Sequence, residues 1–186
     1  VKNGKVVKED ITILKKKKSY DSTDSYAATF LTVVNKYFYK TGDSDYLVSH
    51  AQDLKRITNV MFATLQNGLT YAKGNHRVKY LMDNSEVYEG FIAASRIFEE
   101  IVLRGKTEYT DMRDECGEAS FIVRDNINNK LWNFVGGYYL PGITAYVKIP
   151  TKIFSWKTYY PQATCQLFPI ICGVIEPGTD RAKALY

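Results

Sequence analysis

The sequence lacks the features by which several protein classes are recognised. Its apolar runs are short, as at residues 170–174, whereas a bilayer-crossing helix needs ~20 apolar residues. The 186-residue chain has no G-x-S-x-G, P-loop or G-x-G-x-x-G motif. The serine hydrolase, nucleoside-triphosphate and dinucleotide-binding classes therefore have no support. We expect no membrane span and no cofactor.

Cysteine and histidine are also scarce. Cys116, Cys165 and Cys172 form no C-x-x-C pair, and neither His50 nor His76 stands at ligand spacing from them. A disulfide framework or a zinc site would need such spacing. The sequence therefore predicts buried thiols, above all at Cys165 and Cys172 with their apolar neighbours, and no metal site.

The positive charge is confined to one end of the chain. The net charge is +5, and residues 1–18 alone carry +5, with seven lysines against Glu9 and Asp10. Residues 19–186 are thus neutral overall, whereas a surface that follows phosphates needs excess cations on the folded body. We predict a basic extended arm or loop at 1–18, a folded domain at 19–186 and no nucleic-acid partner.

Hydrophobic spacing predicts two helical hairpins and the start of a third. Helices are expected at 22–41, 47–65, 84–103, 107–131 and 161–175, with a sixth beginning at 180. A small β-hairpin is expected within 69–81, and short strands or a packed loop in the aromatic stretch 132–156. The fold class is therefore mainly all-α, with antiparallel helical hairpins in a ring and short β-hairpin loops on one rim. The apolar face predicted for the first helix consists of Ala27, Phe30, Leu31, Val34, Tyr37 and Phe38.

Acidic residues stand at the starts of the first and third helices: Asp21 and Asp24, then Asp83 and Glu86. Alternate helices of repeated hairpins share a direction, so both pairs should lie on one rim. Paired carboxylates there could cleave a glycosidic bond, one protonating the leaving oxygen and the other activating water or attacking the sugar. The same residues could instead cap their helices, and Asp83 and Glu86 have capping-box spacing.

Aromatic residues favour a sugar-binding groove near these acids. Trp156, Tyr159 and Tyr160 precede the predicted fifth helix, on the same rim, and Tyr88 lies on the third. Flat aromatic faces can stack on the C–H face of a sugar. These four residues are the predicted substrate-binding set.

Three segments resemble the six-hairpin glycosidase superfamily: YDSTDSYAATFLTVVNKYFYKTGD (20–43), KYLMDNSEVYEGFIAASRIFEE (79–100) and YYPQATCQLFPIICGVIEP (159–177). Members close twelve helices into an (α/α)6 toroid with an acidic pair at the rim. The resemblance implies Glu86 as proton donor and Asp24 as base or nucleophile, with Asp21 and Asp83 close behind. It also implies an incomplete toroid whose remaining hairpins belong to a longer parent chain.

Three functions stay open at this point. The first is a glycoside hydrolase-like activity on an oligo- or polysaccharide. The second is a non-catalytic glycan-binding or scaffold module, in which the acids only cap helices. An isoprenoid or peptide cyclase ranks third because no aspartate-rich metal motif or zinc set is present. Without an initiator methionine or apolar leader, the location could be cytoplasmic or, after leader removal, exported, and in either case we expect a soluble protein.

Overall fold

The computed structural model describes residues 21–144 and 154–185, and these form a mainly helical fold, as predicted. The basic segment 1–18 and residues 145–153 of the aromatic stretch lie outside the described residues. The helices within them are α1 (Asp24–Thr41), α2 (Ser44–Ser49), α3 (Ala51–Thr64), α4 (Leu81–Leu103), α5 (Thr110–Asn126), α6 (Phe168–Ile171) and α7 (Asp180–Lys183).

Short strands connect the helices in antiparallel pairs. β1 (Leu65–Gln66) pairs with β2 (Leu69–Thr70), β3 (Val78–Tyr80) with β6 (Gly142–Thr144), and β4 (Trp132–Asn133) with β5 (Tyr138–Tyr139). The predicted hairpin within 69–81 is only a tight turn in which Lys73 bridges His76. The strand that follows this turn pairs instead with residues about 60 positions later, a long-range contact that local spacing cannot reveal.

The β1–β2 hairpin turns at a two-residue Asn-Gly loop just after the helix predicted over 47–65. Asn67 and Gly68 have φ angles of 52° and 77°. A two-residue hairpin turn of type I′ requires positive φ at both central positions, which asparagine and glycine adopt most readily. The turn places β2 beside the start of α4, where it contributes to the site described below.

Helix α4 is the centre of the core and packs between α1 and α5. Burial of a large apolar side chain there, such as Phe91 or Ile101, stabilises the fold by roughly 1.5–3 kcal/mol. The faces predicted for these two hairpin partners are buried throughout: Val87, Phe91, Ala94, Phe98 and Ile101 on α4, and Met112, Cys116, Ala119, Val123 and Ile127 on α5 and just after it.

The predicted face of α1 is only partly correct. Ala27, Leu31 and Val34 are buried against the core, but Phe30 and Tyr37 are 44% and 42% exposed. Because a helix turns by about 100° per residue, positions 30 and 37 lie on a neighbouring stripe that points away from α4. One side of α1 is therefore apolar and open.

The fifth helix, predicted over 161–175, is wrong as a continuous element. A π-helical turn covers Tyr159–Ala163 with a kink at Tyr160, and only the four-residue α6 follows. Gln166 lies between them and uses its side chain to bond both the backbone N–H and the carbonyl of Tyr139, each at 2.8 Å. The segment is thus held by a tertiary contact with β5. The predicted start of a sixth helix corresponds to α7, which Thr179 caps.

A glycine allows the close approach of α1 and α4. A Cβ atom on Gly90 would lie 2.6 Å from both Cα and Cβ of Ala28. Since the obstacle includes backbone, no side-chain rotation could relieve it, and the two helices would have to separate. This contact explains why position 90 carries glycine in the interior of a helix, where it costs ~1 kcal/mol relative to alanine.

We therefore expect Gly90→Ala to lower the free energy of unfolding by about 1–3 kcal/mol, since overpacking outweighs the gain in helix propensity. Urea unfolding followed by circular dichroism measures the change. Gly117→Ala is the matched control, because its Cβ would meet only Ser95 Oγ at 3.6 Å. A Gly90 variant as stable as the Gly117 variant would contradict the packing argument.

None of the helices in the described ranges has both the length and the apolar character required to cross a membrane.

Candidate functional site

A cleft of about 1150 Å³ lies at the amino-terminal ends of α1 and α4. Its other walls come from the turn at 73–76 and from residues 160–161. Pockets for drug-sized ligands usually measure ~300–1000 Å³. The cleft is thus large enough for an extended ligand.

Three of the four acidic residues singled out in the sequence line this cleft. Asp21 is exposed, whereas Asp83 and Glu86 are partly buried. Asp24 is completely buried and does not contribute to the cleft wall. The two helix starts thus converge as the sequence suggested, but one of the acids lies behind the surface.

N-capping does not account for these acids. Thr23 and Tyr80 occupy the N-cap positions of α1 and α4, and neither side chain makes a capping hydrogen bond. Asp24 and Asp83 lie inside the first turns, so they are not N-caps, although negative charge is favourable there. Apart from one first-turn N–H that Oδ1 of Asp24 accepts, the carboxyl oxygens are available for other contacts.

Ser22 connects the two acidic pairs. Its hydroxyl donates to Oδ1 of Asp24, and its Oγ also lies 3.1 Å from Oδ2 of Asp83. Oδ1 of Asp24 accepts a second hydrogen bond, from the backbone N–H of Ser25 at 2.9 Å. Oδ2 of Asp24 is buried and has no partner among the described residues.

Hydrogen bonds of Asn84 and Thr23 fix the two helix starts that carry the acids. The side chain of Asn84 accepts from the backbone N–H of Thr70 (2.8 Å) and donates to the carbonyls of Thr70 (3.0 Å) and Tyr80 (2.8 Å), which ties β2 to the start of α4. The N–H of Thr23 donates to the carbonyl of Ala72 at 2.6 Å and fixes the start of α1. Sequence reasoning missed both, because a buried asparagine next to an acid gives no pattern of its own.

Burial raises the proton affinity of the cluster. The pKa of Asp83 is raised to about 8 by burial and by the charge of Asp24. The pKa of Glu86 is raised to about 7, again by burial and then by the charges of Asp24 and Glu89. Burial also raises the pKa of Asp24, against the opposing hydrogen bond from Ser22. A carboxyl whose pKa is close to neutral can hold a proton and release it at working pH, as acid–base chemistry requires.

Of the four aromatic residues predicted to bind substrate, one lies in the cleft wall. Tyr160 lines the cleft, 64% exposed. Trp156 and Tyr159 are exposed close by in the chain but are not part of the cleft wall, and Tyr88 is buried in the core.

The aromatic residues that α1 contributes to the cleft were missed in the sequence. Tyr26 and Phe30 on α1 line its wall, together with Val33. Their spacing of four and three residues was a usable signal, since it marks a second apolar stripe on α1. Phe30 had been placed on the buried face instead.

The three cysteines are buried free thiols, and Cys165 belongs to the cleft wall although only 1% exposed. Burial raises the pKa of Cys165 and of Cys172 to about 12. A nucleophilic role requires the thiolate, so these thiols are unsuited to one. Across the described ranges, no group of three or more His, Cys, Asp or Glu side chains could hold a metal ion.

No protein-family model and no curated protein matches the chain. Among solved structures, the fold is similar to the crystal structure of a family GH78 rhamnosidase of Bacillus sp. GL1, with a TM-score of 0.65 and 15% sequence identity. The match covers 85% of this chain but only 16% of the rhamnosidase chain. At this identity the likeness concerns the fold alone.

Proposed function

We propose that the chain belongs to a carbohydrate-active protein, a glycoside hydrolase-like enzyme that uses paired carboxyls at the rim of an (α/α)6 toroid. The observation that carries the proposal is the presence of Asp21, Asp83 and Glu86 in the wall of one large cleft. Glycosidic cleavage requires one protonated and one ionised carboxyl beside the scissile bond. The fold likeness to a rhamnosidase supports the same class of chemistry.

Glu86 is the proton donor in this proposal. It lines the cleft, and a pKa of about 7 leaves it protonated in a large fraction of molecules at neutral pH. The partner that activates water is Asp21, because its side chain is exposed in the cleft. Asp24, the base suggested by the sequence, is buried and acts instead through its charge on Asp83 and Glu86.

The ligand is an oligo- or polysaccharide. The volume of the cleft exceeds that of common small-molecule pockets, and Tyr26, Phe30 and Tyr160 provide exposed aromatic surface for sugar rings. Trp156 and Tyr159, exposed a few residues before Tyr160 in the chain, are further candidates for sugar contact. The remaining hairpins of the toroid would come from a longer protein, in keeping with a match that spans 16% of the rhamnosidase.

A glycan-binding module without catalysis is the second candidate. The complete burial of Asp24 favours this module, because a buried carboxyl cannot contact a sugar in the cleft. Among the described residues of the cleft wall, Asp21 is then the one exposed acid that could act as the second catalytic carboxyl beside Glu86. In such a module the aromatic surface would bind sugar and the acids would only form hydrogen bonds with its hydroxyls.

Turnover of a panel of reducing-end-labelled oligosaccharides, with rhamnosides included, separates the two candidates. We expect cleavage products from this chain or from the longer protein that carries the remaining hairpins. Calorimetric titration of the same panel measures binding independently. Binding without cleavage in both forms would favour the glycan-binding module. If neither form binds or cleaves any sugar of the panel, both proposals are contradicted.

A further inference from the structure

The contacts of Ser22 restrict where protons can be in the acidic cluster. A serine hydroxyl has one hydrogen, and an ionised carboxylate can only accept hydrogen bonds. If Asp24 and Asp83 were both ionised, Ser22 could donate to only one of them, and its oxygen would face a lone pair of the other at hydrogen-bonding distance, 3.1 Å in the case of Asp83. This contact, together with burial that raises the pKa of both acids, favours a proton on one of the two carboxyls.

The hydrogen-bond donors around each carboxyl determine which one is protonated. Asp24 receives two donors on Oδ1, the Ser22 hydroxyl and the Ser25 N–H. Asp83 has a single hydrogen bond to the described residues, the one to Ser22. Donors stabilise the ionised form of a carboxyl. Burial raises the pKa of both acids and is complete at Asp24, so it opposes a charge there. The second donor on Asp24 acts against burial, and on this count negative charge is favoured on Asp24 and the proton on Asp83.

We propose that Ser22 is a positioning residue that holds the proton shared by these two acids on Asp83, in the cleft wall, and leaves Asp24 ionised behind it. The carboxyl hydrogen on Oδ2 of Asp83 is donated to Oγ of Ser22, and the hydroxyl hydrogen of Ser22 is donated to Oδ1 of Asp24. No covalent step is involved. This arrangement goes beyond the proposed hydrolysis and exists without any sugar present.

The groups around Asp83 come from several elements. Asp21 and Asp24 lie on the α1 side and Glu86 on α4, and their charges, together with burial, raise its pKa to about 8. The phenol of Tyr80 comes from β3. The basic residues of the cleft, Lys73 and His76, lie on the opposite turn, where His76 Nε2 is 2.9 Å from the hydroxyl of Tyr80.

In this arrangement the two partly buried acids of the cleft, Asp83 and Glu86, have different roles. Glu86 feels the negative charges of Asp24, Glu89 and Asp21, whereas a neutral Asp83 adds no further charge beside it. Asp83 then offers a ligand an uncharged carboxyl, suited to a hydrogen bond with a sugar hydroxyl. Glu86 remains the group that gains and loses a proton.

Carbon-13 NMR titration of the aspartate carboxyls tests this directly. In the unaltered chain, we expect the Asp83 signal to remain that of a protonated carboxyl up to about pH 7, while the Asp24 signal is already that of a carboxylate. Ser22→Ala should lower the midpoint of Asp83 by one pH unit or more, because Asp24 loses its donor and takes up the proton itself. Ser22→Thr, which keeps a hydroxyl, should restore the original order.

Asp24→Asn provides a second test in case Ser22→Ala does not fold. Without a charge on residue 24, Asp83 should again titrate at least one pH unit lower. The proposal is overturned if Asp83 of the unaltered chain ionises below about pH 6, or if the folded variants leave its midpoint unchanged. These titrations use no sugar, so they are independent of the proposed function. If the chain cleaves no glycan but shows these titrations, the proposed hydrolysis is contradicted and the assignment of the proton to Asp83 is supported.

Discussion

Glu86→Gln is expected to lower kcat for glycoside hydrolysis by about 10²–10⁴-fold, the usual contribution of a general acid. Glutamine keeps the size of the side chain and its position on α4, but it has no proton to give to the leaving oxygen. KM should change little, because binding to the aromatic wall of the cleft does not depend on this proton. Steady-state kinetics on the best substrate of the oligosaccharide panel measures both constants.

Glu99→Gln is the matched control for this experiment. It makes the same chemical change on the same helix at an exposed position outside the cleft, so kcat should stay unchanged. Stability provides a further check. The buried carboxyl of Glu86 is destabilising when ionised, so the glutamine variant should be at least as stable as the unaltered chain at pH 8. Equal activity of the two variants would exclude Glu86 as the donor.

The sequence predicts that the starts of α1 and α4, with their acidic residues, lie close together. This prediction needs only the helical periodicity and the rule that alternate helices of antiparallel hairpins share a direction. The apolar spacing of α4 and α5 gives the buried faces correctly, since each residue there contacts the core from a regular helix. Helices that alternate in direction then bring the starts of α1 and α4 together. Asp83 and Glu86 were found in this way.

The different environments of the acids could not be predicted. Asp24 and Asp83 are both in first turns, so the sequence offers no reason to bury one of them completely. Their burial depends on the packed structure, as do the position of Ser22 between the helices and the contact of Asn84 with Thr70. The local pattern likewise could not reveal the contact of Gln166 with β5, which lies within the predicted fifth helix. The structure has no continuous helix there.

The open stripe on α1 shows the same limit for apolar residues. Phe30 was assigned to the core because it stands three residues after Ala27, a spacing that both stripes of the helix can accommodate. In the fold, Gly90 lets α4 pack closely against Ala28, so the Ala28 side of α1 is the side that faces the core. Tyr26 and Phe30 therefore face the cleft, where they become candidates for ligand contact.

The free energy of unfolding is expected to fall as the pH rises from 5 to 8. The pKa of Asp83 is about 8 in the folded chain and ~3.9 in an unfolded one. Between these values the folded state binds more protons than the unfolded state, so each pH unit costs about 1.4 kcal/mol. Over three units the loss from Asp83 is about 4 kcal/mol. Glu86, with a folded pKa of about 7, adds a smaller loss because solvent reaches part of it.

Urea unfolding at constant ionic strength measures this slope, and Asp83→Asn identifies its source. The amide has no ionisation in this range and can donate to Ser22 Oγ as the protonated acid does. The variant should therefore differ little from the unaltered chain near pH 4, become the more stable of the two as the pH rises, and reach its full advantage at pH 8. Above pH 8 both curves should run parallel, because Asp83 is ionised in the folded and the unfolded state alike. Parallel curves from pH 5 upward would instead mean that Asp83 is already a carboxylate in the folded chain. The Asp24–Asp83 pair would then have no proton to share on the cleft side.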